Sequence, residues 1–216
     1  MYNQCGGNKK NGKSNSLKHI ENVIENCKQL IEIFKIDEKI ANNILIAAVL
    51  HDIGRYFILD YKKYKKIIKH SKVSEKFARV YLNNKVELKD IEFICELIEK
   101  HGGEKERNFY QELFNFADAI DITKKRLLDD YEEGEKINVI YHIEEVLFGI
   151  KYNKLYINFI TDENVTPEDL LKKSKMYNRI LSSIKALAEI KNLEYQLFWN
   201  SEIFDDKMVV MTLKKQ

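Results

Sequence analysis

Three cysteines, Cys5, Cys27 and Cys95, are scattered along the 216-residue sequence and none forms a CxxC pair. An odd, widely spaced set argues against a disulfide framework and fits a reducing compartment. No run approaches the roughly 18 consecutive apolar residues that cross a bilayer. An excess of one charge is also missing: 36 basic and 34 acidic residues leave a formal net charge of +2. That argues against a protein that coats polyanions, while allowing a local basic site. The opening stretch MYNQCGGNKKNGKSN has no apolar centre of the kind a secretory signal needs, and residues 1–15 read as a flexible tail. The expectation is a soluble, cytoplasmic protein without a membrane partner.

What is present suffices for a real core, at 44% hydrophobic and 11% aromatic residues. From Ser16, Leu17, Ile20, Val23/Ile24, Cys27, Ile31 and Phe34 recur at spacings of three and four, one buried helical stripe with Ser16 as its cap. A second helix, capped by Asp37, runs through Ile40, Ile44, Ala47 and Ala48 to His51-Asp52. Residues 57–83 read as one or two helices with a break near His70. Asp90 to His101 reads as a short helix stopped by Gly102-Gly103, and Asn108 to about Tyr131 as a long one ending near Gly134. Beyond Gly134 the texture changes. INVIYHI alternates, while KLYINFIT, LEYQLFW and KMVVMTL are rich in aromatic and β-branched residues. Thr166-Pro167-Glu168-Asp169 opens a helix reaching about Lys191, since the only proline sits where its missing N–H costs nothing. The expected fold is mainly α, an all-helical bundle over residues 16–134 followed by a small α+β region over 135–216.

The stretch AAVLHDIGRYF poses the chemical question. A helix burying Ala47, Ala48, Val49 and Leu50 ends in an imidazole beside a carboxylate, and a desolvated carboxylate is costly unless a cation or hydrogen bonds compensate it. His101 follows Ile91, Ile94 and Ile98 on one face; Asp118 follows Phe114 by four residues; His19 lies one turn before Val23. Taken singly, each is better read as a satisfied structural residue. Imidazoles and carboxylates aimed inward from four or five helices are another matter, because they must find partners in one core. A divalent transition metal satisfies them together. His142 falls in an alternating stretch and is left out of the site.

The order His19, His51-Asp52, His70, His101, Asp118, with LHDIGR, LIEKHGG and FADAID around its members, resembles the HD superfamily of metal-dependent phosphohydrolases over roughly residues 17–130. The resemblance implies that His19, His51, Asp52 and Asp118 hold one metal, and that His70 and His101 hold a second in two-metal members. Arg55-Tyr56-Phe57 stands where guanosine-polyphosphate hydrolases carry an acidic pair, and the double His and GYP of cyclic-dinucleotide phosphodiesterases are missing. KHSKVSEKFARVYL and KHGGE are most similar to enzymes that split dinucleoside tetraphosphates symmetrically. For the phosphate-binding arginine of those enzymes only Lys124 or Arg126 is at hand, and the α+β extension is foreign to them.

On this reading Asp52 bridges two ions and a metal-activated water attacks phosphorus. Manganese, iron, cobalt or zinc suits the mixed ligand set better than magnesium alone. Arg55, Lys124 or Arg126 reaches a phosphate, and Asp121 either orients a ligand or pairs on the surface with Lys124 or Lys125. The lysine-rich YKKYKKIIKHSK is a solvated helix face or a basic rim drawing in a polyphosphate or nucleic acid. The C-terminal strands bind a ligand, bind a second copy, or cap the bundle. Three activities stay open: a two-metal phosphohydrolase acting on a small phosphorylated substrate such as a nucleotide; a one-metal nucleotidase in which His70 and His101 contact the phosphate; and a non-catalytic metal- or nucleotide-binding regulatory module.

Overall fold

The structure, a computed structural model, describes residues 16–58, 69–101, 106–127, 138–172 and 174–204. The glycine pair at 102–103, Gly134, most of the lysine-rich run and the KMVVMTL stretch lie outside them. Helices α1 (Ser16–Phe34), α2 (Glu38–Leu50), α3 (Gly54–Phe57), α4 (His70–Leu82), α5 (Leu88–Lys100) and α6 (Phe109–Ala119) come first. They are followed by a 3₁₀ turn (Lys124–Arg126), α7 (Val139–His142), β1 (Ile143–Lys151), β2 (Lys154–Thr161), α8 (Pro167–Lys172), α9 (Ser174–Ile190), β3 (Glu194–Trp199) and β4 (Glu202–Ile203). The expected class, a mainly helical chain ending in a small sheet, is what is seen.

The caps explain the helix starts. The Asp37 carboxylate accepts from the backbone of Lys39 and Ile40, and Asn108 and Gln111 bond each other's backbone in a reciprocal box at the start of α6. Helix α6 is buried along nearly its whole length, from Gln111 to Ala119, because α1, α5 and α9 all pack on it. That central position carries Asp118 into the interior.

Two expectations fail locally. The long helix expected to reach Tyr131 ends at Ala119: the Ile120 N–H still bonds the Phe116 carbonyl, and the Ile122 N–H then bonds that of Ile120. Asp121 therefore leaves the helix instead of lying one turn further along it, and its side chain meets His19 and Asn22 of α1. Buried polar pairing outweighs the helical propensity of the residues beyond. Lys124 and Arg126 consequently sit on the separate 3₁₀ turn. Similarly, INVIYHI is not a strand throughout. Val139, His142 and Ile143 are buried at helical spacing, so Val139–His142 forms one helical turn and β1 begins only at Ile143.

The sheet has the order β1-β2-β3-β4, with β2 and β3 parallel and the other pairs antiparallel. The parallel pair requires the crossover that α8 and α9 supply. Each hairpin turns on two residues of positive φ, Tyr152 and Asn153 (50° and 59°), then Asn200 and Ser201 (48° and 71°), as tight two-residue hairpins demand. Phe148, Leu155, Ile157, Phe159, Leu197 and Trp199 point from the sheet toward Tyr177, Ile180, Ile184 and Leu187 of α9 and toward α6, where Phe116 meets Phe148 edge-to-face at 5.9 Å. The buried apolar cluster runs without interruption from Val23 through Phe116 to Trp199 and Phe204. No helix among the described residues is long and apolar enough to cross a membrane.

Candidate metal centre

Six side chains from five elements converge at the ends of the bundle helices. His19 comes from the first turn of α1, His51 and Asp52 from the end of α2, His70 from the first residue of α4, His101 from just past α5, and Asp118 from the last turn of α6. All are buried except His70, which is partly so. Phe114, one turn before Asp118, forms an apolar floor with its ring 5.8 Å from that of His51 and 6.4 Å from that of His101.

The second nitrogen of three imidazoles is already committed. His19 Nδ1 lies 2.5 Å from Asp121 Oδ2, His51 Nδ1 lies 2.8 Å from the Ala48 carbonyl, and His101 Nδ1 lies 2.5 Å from the Ile98 carbonyl. These partners only accept, so each Nδ1 carries a hydrogen and each ring turns its Nε2 inward. Those nitrogens meet one another. His19 Nε2 and His51 Nε2 are 3.2 Å apart, and His70 Nε2 and His101 Nε2 are 3.1 Å apart. Carboxylate oxygens complete the cluster. Asp118 Oδ1 is 3.2 Å and Asp52 Oδ2 3.4 Å from His19 Nε2, while Asp52 Oδ1 is 3.1 Å from His70 Nε2 and 3.7 Å from His101 Nε2. Asp52 Oδ1 is buried without a hydrogen-bond partner. Acceptors facing acceptors in a buried space call for a cation. Three overlapping groups have ligand atoms close enough to share an ion: His19-His51-Asp52, His51-His101-Asp118 and Asp52-His70-His101.

The charges are arranged accordingly. Burial works against ionisation of Asp52 and Asp118, but Arg55 and His51 hold the first, and Arg179 and His19 the second, well below the usual carboxylate range. Burial pushes His51 down to about 4 and lowers His70 as well. At His19, burial and the Arg126 charge oppose protonation, yet Asp118, Asp121 and Asp52 outweigh them and push the ring up to about 10. The carboxylate field that draws a proton onto His19 in the metal-free protein favours a divalent ion there equally. Ionised carboxylates and ring Nδ1–H groups anchored on oxygen are what a transition-metal ion requires of its ligands and their supports, and binding at His19 would displace the Nε2 proton.

Of the cationic side chains named from the sequence, Arg55 Nε lies 2.9 Å from Asp52 Oδ2. Lys124 pairs with Glu144 of β1. Arg126 donates through Nη1 to the Asp121 carbonyl at 2.9 Å, with Nε 3.7 Å from its Oδ2. Asp121 is buried, and Asn22 holds its second carboxylate oxygen at 2.8 Å. His142 stands apart, its Nδ1–H donating to Asp162 at 2.9 Å. Sequence reasoning missed Arg179 and Asn115. Arg179, in α9, bonds Asp118 Oδ2 at 2.5 Å and Asn115 Oδ1 at 3.0 Å. Asn115 lies one turn before Asp118, a visible spacing, but nothing in the local pattern says that α9 docks there.

The helical bundle holds a buried imidazole–carboxylate centre whose ligand atoms lie close enough to share metal ions. Residues 17–148 match the HD domain family, and the chain belongs to it. The family and the buried cluster together make it an HD-type metal-dependent phosphohydrolase. No curated protein matches the chain.

Proposed function

We propose that the protein hydrolyses a phosphoester or phosphoanhydride of a small nucleotide with two divalent transition-metal ions, both of which Asp52 would help to hold. The observation that carries this reading is the split of the Asp52 carboxylate. One oxygen lies 3.4 Å from His19 Nε2 and the other 3.1 Å from His70 Nε2, so the carboxylate faces two separate pairs of imidazoles. His19, His51, Asp52 and Asp118 would hold one ion, and Asp52, His70 and His101 the other. Manganese, iron, cobalt and zinc all suit this donor set. Such ions, when bound, supply a nucleophilic water at neutral pH and offset charge on phosphoryl oxygens.

The chain's own residues do the rest. Asp121 fixes the His19 ring so that its Nε2 stays turned inward. Arg55, about a third exposed beside Asp52, is placed to donate to a phosphate at the mouth of the cluster. The apolar wall of Phe114 keeps the local dielectric low, which strengthens every charge interaction inside. The similarity of KHSKVSEKFARVYL and KHGGE to symmetrical dinucleoside-tetraphosphate hydrolases makes that substrate the first to try.

The test is elemental analysis of protein purified without added metal or chelator, with His70→Ala and His101→Ala beside it. A screen of nucleoside mono-, di- and triphosphates and dinucleoside tetraphosphates in manganese accompanies it. Two ions per chain, falling toward one in each variant, with phosphate or nucleotide released from one substrate class, is the expected result. One ion, unchanged in both variants, would replace this reading with a one-metal nucleotidase. No metal uptake and no turnover would leave a regulatory module.

A further inference from the structure

Of the four cationic side chains named above, two are spent elsewhere. Lys124 is paired with Glu144, and Arg126 braces the Asp121 backbone behind His19. The other two each hold a carboxylate of the centre. Arg55 Nε lies 2.9 Å from Asp52 Oδ2, an oxygen that also faces His19, whereas Arg179 bonds Asp118 Oδ2 and leaves Asp118 Oδ1 to face His19. Both side chains are about one-third exposed, at 36% and 31%, so both are anchored in the protein and open to solvent on one side.

Arg179 is built into position. Its Nε and Nη2 donate to Asn115 Oδ1 at 3.3 and 3.0 Å. Asn115 in turn donates to the Ser183 hydroxyl at 2.6 Å. Asn115 and Ser183 are almost fully buried, and Ser183 lies one turn after Arg179 on α9. A surface arginine tying two helices together needs no such bracing. A guanidinium held rigid before its ligand arrives loses little entropy when the ligand binds. With Nε and Nη2 engaged, Nη1 has no partner among the described residues, and its two N–H groups remain for an anion.

We propose that Arg179 is a phosphate-binding residue of the centre, contributed by the C-terminal α+β region and acting opposite Arg55 on the substrate's phosphoryl oxygens. The inference rests on the phosphohydrolase reading above and adds to it a residue 31 positions beyond the segment that matches the HD domain. It also assigns the C-terminal region a role: the crossover helix between β2 and β3 completes the anion site, and the sheet holds that helix in place through Ile180, Ile184 and Leu187. Two arginines on opposite carboxylates would neutralise a phosphate dianion that three nearby carboxylates, Asp52, Asp118 and Asp121, otherwise repel.

The experiment compares wild type with Arg179→Gln and Arg179→Lys, each loaded with manganese. Bound metal is counted by elemental analysis, inorganic phosphate affinity is measured by calorimetry, and thermal unfolding is followed in the metal-free proteins. The expected result is wild-type metal content and folding in both variants, with phosphate affinity down at least about tenfold in Arg179→Gln and partly restored in Arg179→Lys. Phosphate affinity within twofold of wild type in a metal-loaded Arg179→Gln protein would overturn the proposal. So would loss of metal from that variant with folding intact, since Arg179 would then be a positioning residue for Asp118. A wild-type protein that takes up none of manganese, iron, cobalt or zinc would instead sink the two-ion reading itself.

Discussion

Replacing Gly54 by alanine places a methyl carbon 2.3 Å from the His70 carbonyl oxygen, 2.7 Å from the Ser74 backbone nitrogen and 2.8 Å from the Ser74 hydroxyl. Contacts of a β-carbon below 3.0 Å essentially do not occur, so α3 and α4 must separate by at least about 0.7 Å. Two things are lost. Overpacking against backbone, which cannot rotate away, costs about 1–3 kcal/mol. The buried bond from the Gly54 N–H to Ser74 Oγ, 2.8 Å long, stretches beyond useful length and leaves a buried donor and acceptor at about 1–3 kcal/mol. A total of about 2–6 kcal/mol is expected in urea unfolding of the metal-free protein. The same separation moves His70, the first residue of α4, away from Asp52 Oδ1, now 3.1 Å from its Nε2. Metal sites tolerate only a few tenths of an ångström, so on the two-ion proposal Gly54→Ala should also lose the ion held by His70 and His101 while keeping the one at His19 and His51. A Gly54→Ala protein within about 0.5 kcal/mol of wild type and with full metal content would refute this account of why glycine follows the doublet.

Asp121→Asn keeps the shape of the residue but weakens the acceptor that fixes His19 Nδ1–H, and metal affinity should fall about 10–100-fold by competition with a fluorescent chelator; an unchanged affinity would show that Asp121 matters only to folding. Burial works against the Asp162 carboxylate, but the His142 ring and the Asn164 N–H bond to it and hold it below the usual carboxylate range. Because the folded value is depressed, its contribution is fully present above the unfolded value of about 3.9 and is lost as pH falls through the folded one. The stability difference between wild type and Asp162→Asn in denaturant should therefore be widest above about pH 4 and shrink in stronger acid, whereas a difference independent of pH would contradict the pairing with His142.

Much of the centre is legible in the sequence because its parts are local. The stripe that ends in His51-Asp52, the spacing of His101 behind Ile91, Ile94 and Ile98, and Asp118 four residues after Phe114 each follow from the 3.6-residue period, which alone says which side of a helix is buried. Asp37 and Pro167 mark helix starts through local hydrogen-bond chemistry. The helical first part and sheet-bearing last part are likewise readable, since both periods leave their imprint on short windows. The end of α6 is not. Whether the chain stays helical past Ala119 depends on Asp121 meeting His19, a partner 102 residues away, and no window of sequence contains both. His142 is misplaced for a related reason, since a run of seven residues is too short to separate one helical turn from a strand.

Arg179 marks the limit most clearly. Its sequence neighbourhood is that of an ordinary amphipathic helix, and only the packing of α9 on α6 brings it to Asp118. The sequence by itself determined that His19, His51, Asp52, His101 and Asp118 face inward and would have to share one core, though Leu17 and Val49, read as buried with them, are exposed. The tertiary structure decided how Asp52 divides its two oxygens, which ring nitrogens are left free to bind, and that the C-terminal helix lends the centre a cation. Periodicity is a property of one element, whereas the meeting of side chains across elements depends on how several helices pack at once.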